Sequence, residues 1–395
     1  MSDGNRDPRD GSLRDLLRVA PGDDGLVDLA AVDPRSTPGL PGPDVTGGDR
    51  KGWARSEVAR IGAYLAERQE MLFAGAKADP SDGCRVLLVL QAMDCGGKDG
   101  VVKRVAGAMN PLGLHVRSFG PPTAEELRHD FLWRIRRALP PPGRVGIFNR
   151  SHYEDVLVAR VASVTPEPVW RARYDQINAF EQELADAGVT LVKVMLHISY
   201  AEQRERLLQR LTDPRKYWKY DPADVDARAR WGDYQAAYAE ALGRCASDRA
   251  PWYVVPADRK WYRDWAVSHL LRETLATLHL GYPPPTFDVE HERRRLAAEE
   301  PGLSEEPGPS EHPGRSVQPG PSEHPGRSVQ PGPSKHPWAS KHPWAPEHPG
   351  PAGSGRSGVI PVQGAGRVPG ATGAAPHGAR SGVHAGQDEQ QVNEE

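Results

Sequence analysis

The sequence predicts an α/β protein whose mainly parallel, five-stranded sheet is covered by helices on both faces, giving three layers. Strand-like and helix-like patterns alternate from about residue 51 to 285, as βαβ units do. The strand segments are unbroken apolar runs such as RVLLVL, which is how strands buried on both faces read. The first of them passes through a glycine turn straight into a helix start. Ligands in such sheets bind beyond the carboxyl ends of the strands, so the polar runs at those ends are where chemistry is expected.

Residues 1–50 are rich in Gly, Asp and Pro, with short apolar patches at 13–19 and 26–32, and read as an extension that wraps a core. Between residues 53 and 73, Val58, Ile61, Leu65 and Leu72 recur at helical spacing among charged residues and predict an amphipathic helix. Strands are expected at 86–91, 114–119, 145–149, 189–198 and 252–257. Helices are expected at 101–109, at 123–139 where Thr123 and Glu126 have capping-box spacing, at 166–187, and at 261–279. Residues 200–245 read as strongly charged helix interrupted by LTDPRKYWKYDP. From 286 to 395 the chain turns Pro- and Gly-rich, and PGPSEHPGRSVQ occurs at 307–318 and again at 319–330. A unit of that composition cannot bury a core, so a disordered tail is expected there.

The formal net charge of −3 averages over unlike parts and does not point to nucleic acid. No apolar run is long enough for a membrane span, and the three cysteines, Cys84, Cys95 and Cys245, are too scattered for a zinc site. The expectation is a cytoplasmic homo-oligomer that engages neither membrane nor nucleic acid.

The stretch that organises the rest is QAMDCGGKDG, residues 91–100. An apolar strand, a glycine turn holding a lysine and a helix start make a phosphate-cradling P-loop, in which the backbone amides of Gly96, Gly97 and Lys98 face an anion and the Lys98 side chain reaches its oxygens. Ala92 stands where such loops usually begin with glycine, and Asp99 where Ser or Thr usually follows the lysine. Acid at Asp94 and Asp99 makes sense if it holds a magnesium ion that in turn holds phosphate. A plain glycine turn is the competing reading. The third strand exits into NRSHYED, where Arg150, Glu154 and Asp155 offer a second charged element. That acidic pair reads either as metal ligands or as the first turn of a helix, which the dipole favours. Arg204, Arg206, Arg210, Arg215, Lys216 and Lys219 form a basic run after the fourth strand, either a lid over phosphates or a solvated helix face. Lys103 and further basic residues flank the loop.

Five runs, MDCGGKDG, HDFLWR, FNRSHYEDVLV, RLTDPRKYWK and PWYVVPADRKWYR, stand in this order between about residues 50 and 285 and together resemble the polyphosphate kinase 2 family. The form NRSHYED resembles the branch acting on nucleoside mono- and diphosphates. The resemblance implies a thymidylate-kinase-like P-loop kinase fold, inorganic polyphosphate as phosphoryl donor, AMP or ADP as acceptor and Mg2+ as cofactor. Carried over position by position, it implies that Asp94, Glu154 and Asp155 hold the metal. Lys98, Asp99, Lys103, Arg210, Lys216 and the backbone of Gly96, Gly97 and Gly100 would line the phosphate site. Asp94, Lys98, Arg150 and Asp155 would be the catalytic set. The sequence departs from the family at Ala92 and at Gly120, where a lysine is frequent. Two other readings of the same residues are an ATP-dependent small-molecule or nucleotide kinase and a non-catalytic polyphosphate-binding module.

Overall fold

The computed structural model describes residues 12–81 and 83–298; the repeats of the tail lie outside the described residues. Along the chain the elements are α1 (Leu13–Leu17), α2 (Pro43–Thr46), α3 (Arg50–Ala78), β1 (Arg85–Gln91), α4 (Lys98–Val105), β2 (Leu114–Ser118), α5 (Trp133–Arg137), β3 (Val145–Asn149), α6 (Glu154–Val161), α7 (Glu167–Asp186), β4 (Val189–His197), α8 (Tyr200–Thr212), α9 (Ala223–Ala229), α10 (Trp231–Arg244), β5 (Trp252–Pro256), α11 (Lys260–Ala276) and α12 (Val289–Ala298). The five strands pair in the order β2-β3-β1-β4-β5, and every pairing is parallel.

The apolar runs form strands because both of their faces are buried. Val86, Leu88 and Leu90 of β1 enter one core with α3, α4 and α11, while Leu87 and Val89 enter a second core with α6, α7 and α10. This gives the three layers expected. The long helix α3 starts at Asp49, whose side chain accepts the Gly52 amide at 2.8 Å, and it buries Ala54, Ile61, Leu65 and Leu72 against α11 and the sheet. In α7 the buried residues Trp170, Tyr174, Ile177, Glu181 and Leu184 fall at three- and four-residue spacing, so a single stripe faces the sheet.

One expected helix is largely absent. Thr123 and Glu126 do form the capping box, with the Thr123 amide donating to Glu126 at 2.8 Å and the Glu126 amide to Thr123 at 3.2 Å. The chain then makes one 3-10 turn at Glu126–Arg128 and only the short α5. Asp130 interrupts it, because its carboxylate accepts the Leu132 amide at 2.9 Å and so offers the backbone a turn in place of a helix. In the charged region, Pro214 and Pro222 divide the helix into α8, a 3-10 turn at Pro214–Lys219, α9 and α10.

The described residues 12–49 lie against the core. Arg18 bridges antiparallel to Tyr253 of the edge strand β5, and the Val19 amide donates to the Trp252 carbonyl at 3.1 Å. The amides of Leu13 and Arg14 both donate to the Glu273 carboxylate at 3.1 Å, and the Tyr262 hydroxyl donates to the Pro38 carbonyl at 2.9 Å. An otherwise open sheet edge is thereby covered.

Candidate active site

The parallel register between β1 and β3, with Leu90 opposite Asn149, puts the two polar strand exits side by side. After Gln91 the chain reverses at Cys95, with φ 63°, and at Gly97, with φ 105°, before α4 begins at Lys98. Gly97 is needed twice over: its backbone is left-handed, and a Cβ there would run into the Arg263 guanidinium. At Gly96 a Cβ would collide with the Ala92 side chain and lie 2.9 Å from the Met93 carbonyl. Ala92 itself is accommodated where glycine was expected, since its backbone is not left-handed and its methyl is buried against Gly96.

Lys98 is buried and reaches back to donate to the Ala92 carbonyl at 2.8 Å. That burial, with Arg150 nearby, lowers its pKa. Asp94 leaves the loop toward β3, where Arg150 Nη2 donates to its Oδ1 at 2.6 Å while Arg150 Nη1 donates to Glu154 at 3.1 Å. Burial would lower the Arg150 pKa, but Glu154 and Asp94 outweigh it and the net shift is upward. In the orientation that satisfies both ends of its amide, Gln91 donates to Glu154 Oε1 at 2.9 Å and accepts from the Ser151 hydroxyl at 3.0 Å. Asp94, Arg150, Glu154 and Gln91 are thus one connected group.

Asp155 does not join it. Arg173 donates to the Asp155 carboxylate at 3.3 Å and to its backbone carbonyl at 2.9 Å, and Arg134 lies 3.7 Å from the other carboxylate oxygen. Burial pushes the Asp155 pKa up, and the two arginines only partly oppose this. Both acids of the pair stand in the first turn of α6, and consecutive helix residues do not share a face. The expected set of Asp94, Glu154 and Asp155 is therefore not assembled, and among the described residues no group of three or more His, Cys, Asp or Glu side chains is arranged to hold a metal ion.

The charged segment arches over the loop. Arg206, buried, donates to the carbonyls of Cys95 at 2.8 Å, Ala257 at 2.6 Å and Asp258 at 3.0 Å, and so clamps the loop's outer side. Gln203 donates to the Asp94 carbonyl at 3.0 Å. Asp99 accepts from Asn149 at 2.9 Å and from Lys219 of the arch at 3.2 Å. Burial would raise its pKa, but those two bonds bring it below the usual carboxylate value. Arg210 is held by the Lys219 carbonyl at 2.7 Å and by Asp224 at 2.9 Å. Lys216 pairs with Asp213 at 3.1 Å and does not line the site.

A cavity of about 460 Å³ lies on the loop, lined by Lys98, Lys103, Arg150, Arg210, Lys219 and Arg263 among others. A second, also of about 460 Å³, adjoins it and is walled by Phe119, Pro121, Leu157, Val158, Tyr234 and Tyr238. Asp94 and Arg150 line both and form part of the wall between them. Gly120 borders the second cavity, and its carbonyl accepts from Arg134 at 2.9 Å. Sequence reasoning missed Lys260 and Arg263, although both lie in the run PWYVVPADRKWYR just past a strand end, where basic residues could have been suspected. It also missed Tyr234 and Tyr238, which read as ordinary residues of a charged helix.

A left-handed glycine turn between a central parallel strand and a helix, a buried lysine behind it and basic side chains closing over it define a P-loop phosphotransferase of the kinase type. More closely, the chain belongs to the polyphosphate kinase 2 family, whose model matches residues 56–280. It is 46% identical over 268 residues, covering 68% of this chain and 95% of the relative, to an AMP/ADP-polyphosphate phosphotransferase of Meiothermus ruber. It is 42% identical to an ADP-polyphosphate phosphotransferase of Rhodopseudomonas palustris, covering 59% of this chain and 81% of that one. Among solved structures it resembles a polyphosphate kinase 2 from Arthrobacter aurescens, with TM-score 0.69 and 45% identity over 73% of this chain and 98% of the other. The expected family and P-loop kinase fold are both borne out. Among the described residues no helix is long and apolar enough to cross a membrane.

Proposed function

We propose that this protein transfers a phosphoryl group from inorganic polyphosphate to AMP or ADP. The observation that carries the reading is the Asp94–Arg150–Glu154 group in the wall between a basic cavity and an aromatic one. On this reading the polyphosphate chain lies on the loop side, against Lys98, Lys103, Arg210 and the amides of Gly96, Gly97 and Gly100. The nucleotide lies on the side of Phe119, Tyr234 and Tyr238, and the reacting phosphate passes at the wall. The names of the Meiothermus ruber and Rhodopseudomonas palustris relatives support both substrates.

Phosphoryl transfer asks mainly for alignment and charge neutralisation, because the acceptor is already a phosphate oxygen and needs little help from a base. Arg150, a planar fork of donors, steadies the transferring group. Lys98 orients the donor chain, and the arch of α8 to α10 limits the water that would compete as acceptor. Asp94 and Glu154 are hard oxygen donors that meet on one guanidinium, which fits a magnesium ion that keeps most of its ligands as water and phosphate. Those two residues would hold it, and it would supply neutralisation of the phosphate oxygens. The catalytic domain on this reading is 51–285, with 286–395 outside the chemistry, and a chain ending at residue 303 is expected to turn over as the full chain does. A cytoplasmic setting is part of the same proposal, in keeping with three cysteines scattered along the sequence. A homo-oligomer is part of the same proposal, to be checked by light scattering.

The test is direct. Purified protein with polyphosphate, magnesium and ADP or AMP is expected to form ATP or ADP, and no product above that of Lys98→Ala would reject the reading.

A further inference from the structure

Beneath the site, on the sheet face covered by α6, α7 and α10, lies a buried polar group that the transfer scheme does not use. Lys193, in the middle of β4, has no exposed surface. Its ammonium donates to Glu181 Oε2 at 2.5 Å, to the Cys245 carbonyl at 2.6 Å and to the Tyr153 hydroxyl at 3.0 Å, which uses all of its hydrogens. Glu181 of α7, also buried, accepts the Tyr153 hydroxyl at 2.8 Å on its other oxygen and pairs there with His152 Nε2 at 3.2 Å. Two consecutive residues of the chain therefore hang from one buried ion pair.

Those two residues are the ones between Ser151 and Glu154. Arg150 has φ 65°, a conformation that a residue with a Cβ keeps only when its surroundings impose it. Its amide donates to the Leu90 carbonyl at 3.0 Å on one side, and Ser151 is tied to Gln91. On the other side His152 and Tyr153, with the buried Val156 and Leu157 of α6, seat the start of that helix, while Gln91 and Arg150 hold the Glu154 carboxylate itself. A buried ion pair is a weak means of stabilising a core, since apolar residues of similar volume do as well or better. It is a strong means of specifying one arrangement, because any other leaves a charge unpaired.

We infer that Lys193 and Glu181 are positioning residues: through His152 and Tyr153 they help hold the turn from Arg150 to Glu154 so that Arg150 meets both Asp94 and Glu154 at the wall between the two cavities. This rests on the reading of that wall as the place of phosphoryl transfer.

Three variants test it: Tyr153→Phe, Glu181→Gln, and the double variant Lys193→Met with Glu181→Leu. Wild-type turnover against the Lys98→Ala control comes first, so that an inactive wild type counts against the transfer reading alone. In the single variants kcat is expected to fall roughly 10- to 100-fold, as displacement of an aligned group does. KM for polyphosphate and for ADP should stay within about twofold, because the substrate-lining residues are untouched. The double variant should regain the wild-type melting temperature without regaining kcat. A kcat that returns together with the melting temperature would show that the pair only supports the fold. If Glu181→Gln does not fold, Tyr153→Phe decides alone, since it leaves the ion pair in place; wild-type kcat in that protein overturns the inference.

Discussion

Arg150 binds Asp94 at 2.6 Å although the two are 56 residues apart in sequence, because parallel pairing of β1 with β3 sets their strand ends next to each other. Arg150→Ala is expected to lower kcat by about 10²- to 10³-fold, the scale for loss of a donor to a charged transition state. Arg150→Lys keeps the charge but not the fork, and should recover only part of that. Steady-state turnover with polyphosphate and ADP decides; a normal rate in Arg150→Ala would take Arg150 away from the reacting group.

Asp94 and Asp155 should separate in a mutant comparison. Asp94→Asn removes a carboxylate from the wall and is expected to cut turnover about 10²-fold or more. Asp155→Asn changes a residue held by Arg134 and Arg173 and should act mainly on stability, by about 1–3 kcal/mol, with turnover little altered. Denaturant unfolding and kinetics on both proteins measure this, and an equal loss of turnover in the two would place Asp155 at the metal after all.

Gly97→Ala should raise KM for polyphosphate strongly or abolish turnover. The added methyl would meet Arg263, and the left-handed backbone would itself be strained by about 1–2 kcal/mol. The loop would have to open, and its amides would no longer face one anion. The polyphosphate concentration dependence of the rate is the measurement.

The buried Glu181 predicts the acid limb of stability. Burial alone would raise its pKa, but Lys193 and His152 bring it below the ordinary 4.5. A carboxyl with a depressed folded pKa contributes stability that is complete above the unfolded value and lost as pH falls below it. Melting temperature should therefore fall more steeply below about pH 4.5 in the wild type than in Glu181→Gln. Parallel curves would mean that Glu181 does not titrate as its contacts require.

The sheet was legible because strands buried on both faces leave unbroken apolar runs, and all five were placed within a residue or two of where they lie. The glycine loop was legible for the same local reason, since Gly96, Gly97 and Lys98 mark themselves. What the sequence hid was direction. Glu154 and Asp155 are neighbours in the chain, and nothing in NRSHYED tells which of them faces β1 and which faces Arg134. The capping box at Thr123 was real, yet the helix behind it failed at Asp130, whose turn competes locally with no change in periodicity. Tyr234 and Tyr238 line a cavity only because α10 packs on α6 beside Glu154, a matter of tertiary placement.

The strap along β5 ties the amides of Leu13 and Arg14 to Glu273, a separation of about 260 residues. During synthesis those residues leave the ribosome long before their partners exist, so the first part of this domain to be made is among the last to be seated. Its closure requires nearly the whole loop of chain to be gathered, the slowest kind of contact to form. Until then the β5 edge is bare, and the interval before the strap docks is when a nascent chain of this protein is most open to pairing with the wrong neighbour.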